Sequence, residues 1–137
     1  MEMLNNACKY TPPSEKIIVQ VELETHSSIE SAVVQDPATM TETAIAEMSP
    51  TDFPIIVITV HNTGMEIPAA ELPQVFEPFY RVPQIDRWKQ GGTGLGLALV
   101  KKLIACLRGS IRAESSPQQT CFVIELPCQP CPNPNSN

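Results

Sequence analysis

The segment from Gly91 to Val100, GGTGLGLALV, places four glycines within six residues and continues as an apolar run. Each glycine costs a helix roughly 1 kcal/mol relative to alanine, so such crowding is unfavourable inside a helix. A glycine-rich loop that leads into a helix exposes bare backbone N–H groups, which bind phosphate oxygens. The segment therefore predicts a phosphate-binding loop or, alternatively, a tight turn packed beneath a helix, and the number of glycines favours phosphate.

Two common glycine motifs do not fit this segment. A dinucleotide-binding fingerprint has the spacing G-x-G-x-x-G directly after a strand, whereas Gly92, Gly94 and Gly96 follow residues that are not strand-like. A Walker A loop ends in Gly-Lys-Ser/Thr, and here Leu-Ala-Leu follows Gly96. The remaining interpretation is a flexible loop whose N–H groups and following helix N-terminus hold phosphate.

The charge distribution agrees with an anionic ligand near the glycines. The chain of 137 residues is about one domain long and has a net charge of −6, which argues against nucleic acid as a partner. Seven of the nine basic residues lie between residues 81 and 112, together with one acidic residue. Of these, Lys101, Lys102 and Arg108 are interpreted as the solvated face of a helix. The other basic residues predict an electropositive site in this half of the chain.

No apolar run approaches the ~20 residues that span a bilayer, and no secretory signal is visible, which predicts a cytoplasmic domain without direct membrane contact. The five cysteines are an odd number, and Cys8 and Cys106 fall within helical apolar patterns, so reduced, buried thiols are expected. The lone Cys128-x-x-Cys131 pair lacks a second ligand pair, so no zinc site is expected.

The order of predicted elements favours an α+β fold, a two-layer α/β sandwich with helices on one face of a mostly antiparallel mixed sheet. Helices are predicted over 1–10, 69–76 and 96–107, strands over 16–25, 54–61, 110–115 and 121–126, an acidic loop excursion over 26–53, a lid-like loop over 77–92 and a disordered tail over 128–137.

Apolar spacing predicts which face of each element is buried. In the first helix these residues are Met1, Leu4 and Cys8, in the first strand Ile17, Val19, Val21 and Leu23, and in the last helix Leu99, Val100, Leu103, Ile104 and Leu107.

Two polar groups are candidate ligands. Glu2 and Asn6 are four residues apart in the first helix, with Lys9 and Tyr10 one turn further along. Their carboxylate and carboxamide oxygens suit Mg²⁺, and Lys9 could reach a phosphate, although the pattern by itself favours a solvated polar face. Asn62 ends the second strand before a glycine, where it either meets a base edge or forms an Asn/Gly turn.

Four segments in order resemble the motifs of one family. LNNACKYT, HNTGMEIP, FEPFYRVP and GGTGLGLALVKKL are similar to the asparagine box, first glycine box, phenylalanine box and second glycine box of sensor histidine kinases. These boxes define the catalytic and ATP-binding domain, in the superfamily shared with gyrase and mismatch-repair ATPases. The resemblance covers residues 1 to about 127, and the phenylalanine box favours the kinases. It implies the Bergerat ATP-binding fold with ATP and Mg²⁺ as ligands.

The resemblance also implies residue roles. Glu2 and Asn6 would hold Mg²⁺ and, with Lys9 on the phosphate, form the catalytic group. Phe76, Phe79 and Tyr80 would begin the ATP lid. The nucleotide-binding residues implied are Asn6, Lys9, Tyr10, Asn62, Gly64, Ile67, Phe79, Arg81, Gly92, Thr93, Gly94, Leu95, Gly96 and Leu97.

Three positions depart from the family pattern. Glu2 stands where a second asparagine is common, but a carboxylate still ligates Mg²⁺. Asn62 stands where the family usually has the aspartate that accepts from the adenine amino group, and it keeps an acceptor oxygen without the charge. Glu66 replaces the second glycine of the first glycine box and makes that turn less free.

The implied reaction is transfer of the ATP γ-phosphoryl group to a histidine on a dimerisation domain, and later to a response-regulator receiver aspartate. His26 and His61 are the only histidines, and neither lies on a helix with a phosphoacceptor motif. The family's opening strand is also missing, so the chain is expected to be an N-terminally truncated or C-terminal part of a kinase, unable to autophosphorylate in cis. The alternatives are a degenerate nucleotide-binding or interaction module, or a serine/threonine kinase of the same superfamily.

Overall fold

The computed structural model describes residues 1–25, 53–83 and 92–128. Most of the expected loop excursion (26–52), part of the expected lid (84–91) and most of the expected tail (129–137) lie outside the described residues. The elements are α1 (Glu2–Tyr10), β1 (Ile17–Glu24), β2 (Ile55–Thr63), a 3-10 turn (Leu72–Gln74), α2 (Gly96–Cys106), β3 (Ser110–Ser116) and β4 (Gln119–Pro127).

The four strands form one sheet in the order β1-β2-β4-β3, and all pairings among these described strands are antiparallel. The long strand β2 is β-branched and apolar, which suits an interior position, and it lies between β1 and β4. Both helices lie on one face of the sheet, with α1 against β2 and α2 against β3. The two-layer α+β sandwich predicted from the sequence is confirmed.

The core lies between the helices and one end of the sheet. Met65 and Ile67, in the segment that follows β2, belong to it. Its buried centre is Ile67, Val75, Phe76 and Phe122. The rings of Phe76 and Phe122 meet edge to face, with centroids 6.3 Å apart. This cluster joins β4 to the segment after β2, and it supports the floor of the cavity described below.

The expected buried face of β1 is wrong, because Val21 is 65% exposed and Leu23 is 62% exposed. The strand forms as predicted, since alternation fixes its hydrogen-bonding geometry. Burial depends on what lies above it, however, and β1 is at the edge of the described sheet while α1 and α2 contact β2 and β3. Alternation predicted the strand correctly but could not indicate whether a second layer covers it.

The expected buried faces of the helices are only partly right. In α2, Ile104 is buried, but Leu99, Leu103 and Leu107 are each more than half exposed, and Ala98 is buried instead. The apolar surface of α2 is wider than the part that the sheet and α1 cover. The same holds for α1, where Ala7 is buried and Met1, Leu4 and Cys8 are exposed. Cys106 is exposed as well, contrary to expectation.

The helix predicted over residues 69–76 is replaced by turns around a single 3-10 turn, Leu72–Gln74. Pro68 O accepts hydrogen bonds from the backbone N–H groups of both Glu71 and Leu72, as in consecutive turns. Pro73 lacks an N–H group and cannot continue an α-helical hydrogen-bond ladder. The chain therefore turns tightly and delivers Val75 and Phe76 to the core.

Candidate functional site

A cavity of about 300 Å³ lies between α1, residues 80–82 and the glycine segment (Gly92–Leu97), with β4 as its floor. Its volume is at the lower end of the range for small-molecule pockets. The described wall comprises Glu2, Asn5, Asn6, Lys9, Tyr10, Met65, Ile67, Val75, Tyr80, Arg81, Val82, Gly92, Thr93, Gly94, Gly96, Leu97 and Phe122. One side is therefore apolar, and the other carries the charged and amide groups of α1 opposite bare glycine backbone.

Helix α1 brings its polar residues to the cavity through helical spacing. Glu2, Asn6 and Lys9 recur at i, i+4 and i+7 and all lie on the wall. The helix ends at Thr11, whose backbone N–H and side-chain hydroxyl both donate to Ala7 O, at 3.0 Å and 2.7 Å. This double closure of the last turn fixes the position of Lys9 and Tyr10 at the cavity. The Lys9 Nζ atom lies 4.9 Å from the centroid of the Tyr10 ring, within the range of a cation–π contact.

The two ends of the expected lid are joined by a backbone hydrogen bond. Phe79 N donates to Gly94 O at 3.0 Å. Gly94 has φ +71°, and a Cβ atom built on it would lie 2.8 Å from the carbonyl carbon of Phe79. Only glycine fits this position without strain, because both the left-handed backbone and the neighbouring chain exclude a side chain. The second glycine of the G-x-G-x-G pattern thus allows the close approach of two backbone segments at the cavity rim.

Charged side chains of α1 reach both ends of the glycine segment. A Cβ atom on Gly92 would lie 2.7 Å from Lys9 Nζ, and one on Gly96 would lie 2.8 Å from Glu2 Oε2. Residues 2 and 9 are about 10 Å apart along a helix. The glycine segment therefore runs alongside α1, with a cation near its start and a carboxylate near its end, where α2 begins.

Asn62 is fully covered by α1 and is 1% exposed. Its Nδ2 group donates to Ala7 O at 3.2 Å and to Thr11 Oγ1 at 3.0 Å. Its Oδ1 atom is buried and has no hydrogen-bond partner. A buried amide oxygen without a partner costs about 1–3 kcal/mol. Asn62 itself does not form part of the cavity wall.

Several predicted site residues lie away from the wall: Asn62, Gly64, Phe79 and Leu95. Gly64 has φ +76° and donates its N–H to Gln118 O at 2.7 Å, so it forms a turn between β2 and the β3–β4 hairpin. Leu95 precedes α2 as its N-cap, and the Phe79 side chain is 73% exposed. These residues support the backbone around the cavity in the described structure.

The sequence did not single out several residues of the apolar wall. They are Met65, Val75, Val82 and Phe122, which come from three separate segments. Met65 and Ile67 are apolar residues on either side of a polar one, as in a strand that continues beyond β2. This alternation could have predicted that both face the same side. The others become neighbours only through tertiary packing. Asn5 also lies on the wall, although the four-residue spacing of Glu2 and Asn6 does not include it.

Fold and cavity together define a two-layer ATP-binding domain, and comparison with known proteins agrees. Residues 1–130 match the family described as histidine kinase-, DNA gyrase B- and HSP90-like ATPase, and the chain belongs to this family. Among its members, the chain is similar to sensor histidine kinases, as the four sequence motifs predicted.

Three relatives illustrate this similarity. The sensor histidine kinase CusS of Escherichia coli O157:H7 is 30% identical over 125 residues, which are 91% of this chain and 20% of that protein. The sensor protein VanS of Enterococcus faecium is 42% identical over 76 residues, 56% of this chain and 20% of that protein. The structure of the mycobacterial sensor histidine kinase MprB superposes with a TM-score of 0.62 at 26% identity, covering 95% of this chain and 70% of that one.

The chain thus spans about a fifth of the length of the curated relatives it matches. Within the part that the structure describes, neither helix has the length and apolar character needed to cross a bilayer.

Proposed function

We propose that this chain is the ATP-binding catalytic domain of a two-component sensor histidine kinase. In this role it holds ATP and presents the γ-phosphoryl group to a histidine on a dimerisation domain outside this chain. The observation that carries the proposal is the cavity in which the polar face of α1 lies opposite the glycine segment. Fold class alone does not define an activity, but this pairing of an oxygen-ligand face with bare N–H groups suits a polyphosphate.

Each wall of the cavity has a proposed part in holding the nucleotide. The apolar side, with Ile67, Val75 and Phe122, suits a flat base, and Tyr10 lies beside it. The buried and unpartnered Oδ1 of Asn62 supports its proposed role as acceptor for the adenine amino group, and Gly64 keeps the adjoining turn compact.

The phosphate side of the cavity combines charge with bare backbone. Lys9 and Arg81 are on the wall and would neutralise phosphate oxygens. The glycine segment and the N-terminus of α2 would donate backbone N–H groups, and Leu95 and Leu97 flank the glycines that make this approach possible. Phe79 and Tyr80 begin the proposed lid (77–92), which would exclude water from the transferring phosphoryl group.

The donor set of α1 fits magnesium. Glu2 and Asn6 supply one carboxylate and one carboxamide oxygen on adjacent turns, and Mg²⁺ typically takes one or two such ligands with water and substrate phosphates. Bound magnesium would supply charge neutralisation at the phosphates.

The proposed reaction is an in-line displacement. A nitrogen of the acceptor imidazole attacks the γ-phosphorus, the bond to the β–γ bridging oxygen breaks, and ADP leaves with that oxygen. The residues of this chain contribute positioning and charge neutralisation, with no covalent intermediate on the domain. We further propose that a receiver-domain aspartate of a response regulator takes the phosphoryl group from the histidine. The domain would act in the cytoplasm, without nucleic acid or direct membrane contact.

The first test is calorimetry of Mg-ADP with the 137-residue chain, beside Asn6→Ala and the control Gln20→Ala. Asn6 lies on the cavity wall, whereas Gln20 is an exposed carboxamide on β1, on the sheet face away from the helices. We expect saturable binding that Asn6→Ala weakens by about tenfold or more and that Gln20→Ala leaves unchanged.

A second test addresses the reaction itself. The chain is mixed with ATP labelled at the γ-phosphate and a purified histidine-bearing dimerisation domain of a related kinase, and we expect acid-labile phosphohistidine. Acid-stable phosphoserine would instead identify a serine/threonine kinase. Absence of nucleotide binding by a folded chain would contradict the proposal and favour an interaction module.

A further inference from the structure

Strand β1 lies at one edge of the described sheet, where β2 is its only neighbour among the described strands. The ladder between them continues to Lys16, whose carbonyl oxygen accepts from Thr63 N at 3.0 Å. Alternate residues of an antiparallel strand form the hydrogen bonds to one neighbour. The odd-numbered residues from Ile17 to Leu23 therefore point their backbone N–H and C=O groups at the outer edge, where another strand can pair with them.

The side chains of these odd-numbered residues are apolar and largely exposed. They lie on the face of the sheet that carries the helices, because Ile17 pairs with Asn62, which contacts α1. Val19 is 49% exposed, Val21 65% and Leu23 62%. Proteins usually protect an edge strand with charges, a proline or a bulge, and residues 17–23 contain no proline and a single charged side chain. The edge of β1 thus has the character of an interaction surface rather than of a protected edge.

The opposite edge of the described sheet is different. Strand β3 has the sequence SIRAESS, and its exposed Arg112 forms an ion pair with Glu114 at 2.8 Å. Charges of this kind at an edge oppose pairing with another chain. Association through β1 would therefore join two sheets and stop there, instead of continuing into a fibre.

The charges of β1 are complementary to those of a second, antiparallel copy of the same strand. Lys16 lies just before the strand, and Glu24 is its last residue. When Gln20 of each copy lies on a two-fold axis, Lys16 of one copy lies directly opposite Glu24 of the other, at both ends of the pair. A shift of two residues in one direction would move Lys16 past the acidic end of the other strand.

The same register also matches the apolar side chains. It places Ile17 opposite Leu23 and Val19 opposite Val21, so that the exposed apolar rows of the two copies meet on one face. It also pairs odd-numbered residues with one another, as the outward-pointing backbone groups require. A shift of two residues in the other direction would place Leu23 opposite the Glu15 carboxylate.

We propose that this chain forms a two-fold dimer through β1, in which two four-stranded sheets join into one. The partner at this edge is a second copy, because the basic start and acidic end of β1 satisfy each other only between antiparallel strands of that same charge pattern. The dimer does not depend on the proposed function, since no residue of β1 lies on the described cavity wall.

Sedimentation velocity of the 137-residue chain over about 1–100 μM measures the association. An interface built on one strand is expected to be weak, with a Kd on the order of 10 μM. Val21→Lys places an ammonium group of each copy within the apolar row and should raise the Kd at least about tenfold. The matched control Ser116→Lys adds the same charge to an exposed position of β3 and should leave the Kd unchanged. Circular dichroism verifies that each variant is folded.

Two further variants test the register. Gln20→Cys should form an intermolecular disulfide on oxidation, because the two positions face each other with Cα atoms about 4.5 Å apart, whereas Glu22→Cys should not. Mass spectrometry separates this bond from any that the exposed Cys8 and Cys106 form.

A chain that stays monomeric, a series of larger assemblies, or a dimer that Val21→Lys leaves intact overturns the inference. A dimer that weakens with Val21→Lys but forms no disulfide through position 20 overturns the register. If Val21→Lys does not fold, the disulfide of Gln20→Cys decides between the outcomes.

Discussion

Asn62 connects the sheet to the C-terminal end of α1, and its amide group explains why this chain has asparagine there. The Nδ2 group donates to Ala7 O, a carbonyl of the last turn of α1, and to the hydroxyl of Thr11. An aspartate would present an acceptor to that carbonyl and place a negative charge at the negative end of the helix dipole. The asparagine thus binds α1 with its nitrogen, while its oxygen is buried without a partner among the described residues.

Replacing Asn62 by aspartate should therefore destabilise the domain. We expect Asn62→Asp to lower the free energy of unfolding by about 1–3 kcal/mol, since a buried donor is lost and a charge is buried beside a carbonyl. Urea denaturation measures the change. The control Asn5→Asp makes the same replacement at an exposed position of α1 and should stay within about 0.5 kcal/mol. Equal stability of Asn62→Asp and the unaltered chain would contradict the proposed contact.

Two positions of the glycine segment, Gly92 and Gly94, provide a second comparison at this scale. Gly94 has a positive φ and contacts the backbone of Phe79, whereas the nearest neighbour of a Cβ on Gly92 is the flexible end of Lys9. We expect Gly94→Ala to cost about 1–2 kcal/mol of stability from the left-handed backbone alone and to weaken Mg-ADP binding. Gly92→Ala should be tolerated by the fold. Urea titration and calorimetry on both variants test this, and similar behaviour of the two would refute it.

Sequence patterns identified the polar residues that α1 contributes to the cavity but not its apolar wall. Glu2, Asn6 and Lys9 were predictable because helical spacing alone places them on one side of α1. Val75 and Phe122 were not, because their approach depends on the turn at Pro73 and on the pairing of β4 with β2. Local periodicity contains no information on such distant contacts.

At the scale of elements, α2 shows the difference between forming a helix and burying it. The helix follows from its composition and from the glycines before it, but the sheet and α1 cover only part of its apolar surface. Leu103 is 55% exposed while its neighbour Ile104 is 9% exposed. Sequence periodicity predicts that both residues are buried. The apolar surface of the helix is wider than the area that its neighbours contact, and periodicity does not indicate which part of that surface is covered.

These neighbours in α2 make a matched pair. Ile104→Ala should cost about 2–5 kcal/mol, because it removes buried methyl groups and leaves a cavity. Leu103→Ala should cost about 0.5 kcal/mol or less, because the leucine is largely in water and alanine is a good helix former. Urea denaturation of the two variants measures the difference. Comparable losses in stability would show that Leu103 is covered in solution.

At the scale of the whole molecule, cysteines lie in both layers of the sandwich and differ in their exposure to solvent. Cys8 and Cys106 are exposed on the helical layer, and Cys121 is buried in the sheet with its sulfur 3.6 Å from His61 Nε2. Burial raises the pKa of the Cys121 thiol, and the negative charge of Glu114 adds to this effect. At neutral pH this thiol is therefore both covered and protonated.

Alkylation should distinguish the two layers. We expect iodoacetamide to modify Cys8 and Cys106 at least about tenfold faster than Cys121 at neutral pH, because the reactive form is the exposed thiolate. The raised pKa of Cys121 means that its thiolate forms only at a higher pH than usual, so its modification rate should rise as the pH is raised above neutral. Mass spectrometry of digested protein gives each rate. In urea the three rates should converge, and early modification of Cys121 in the native chain would contradict the described sheet.

The hydrogen bond from Phe79 N to Gly94 O also has a consequence for protein engineering. It joins the two backbone segments on either side of residues 80–93. Closure entropy rises slowly with length, by about 0.6 kcal/mol for each doubling of a flexible loop. A longer connection between Phe79 and Gly94 would therefore cost little closure entropy. Its length can thus vary without moving the two backbone segments that meet at the cavity rim.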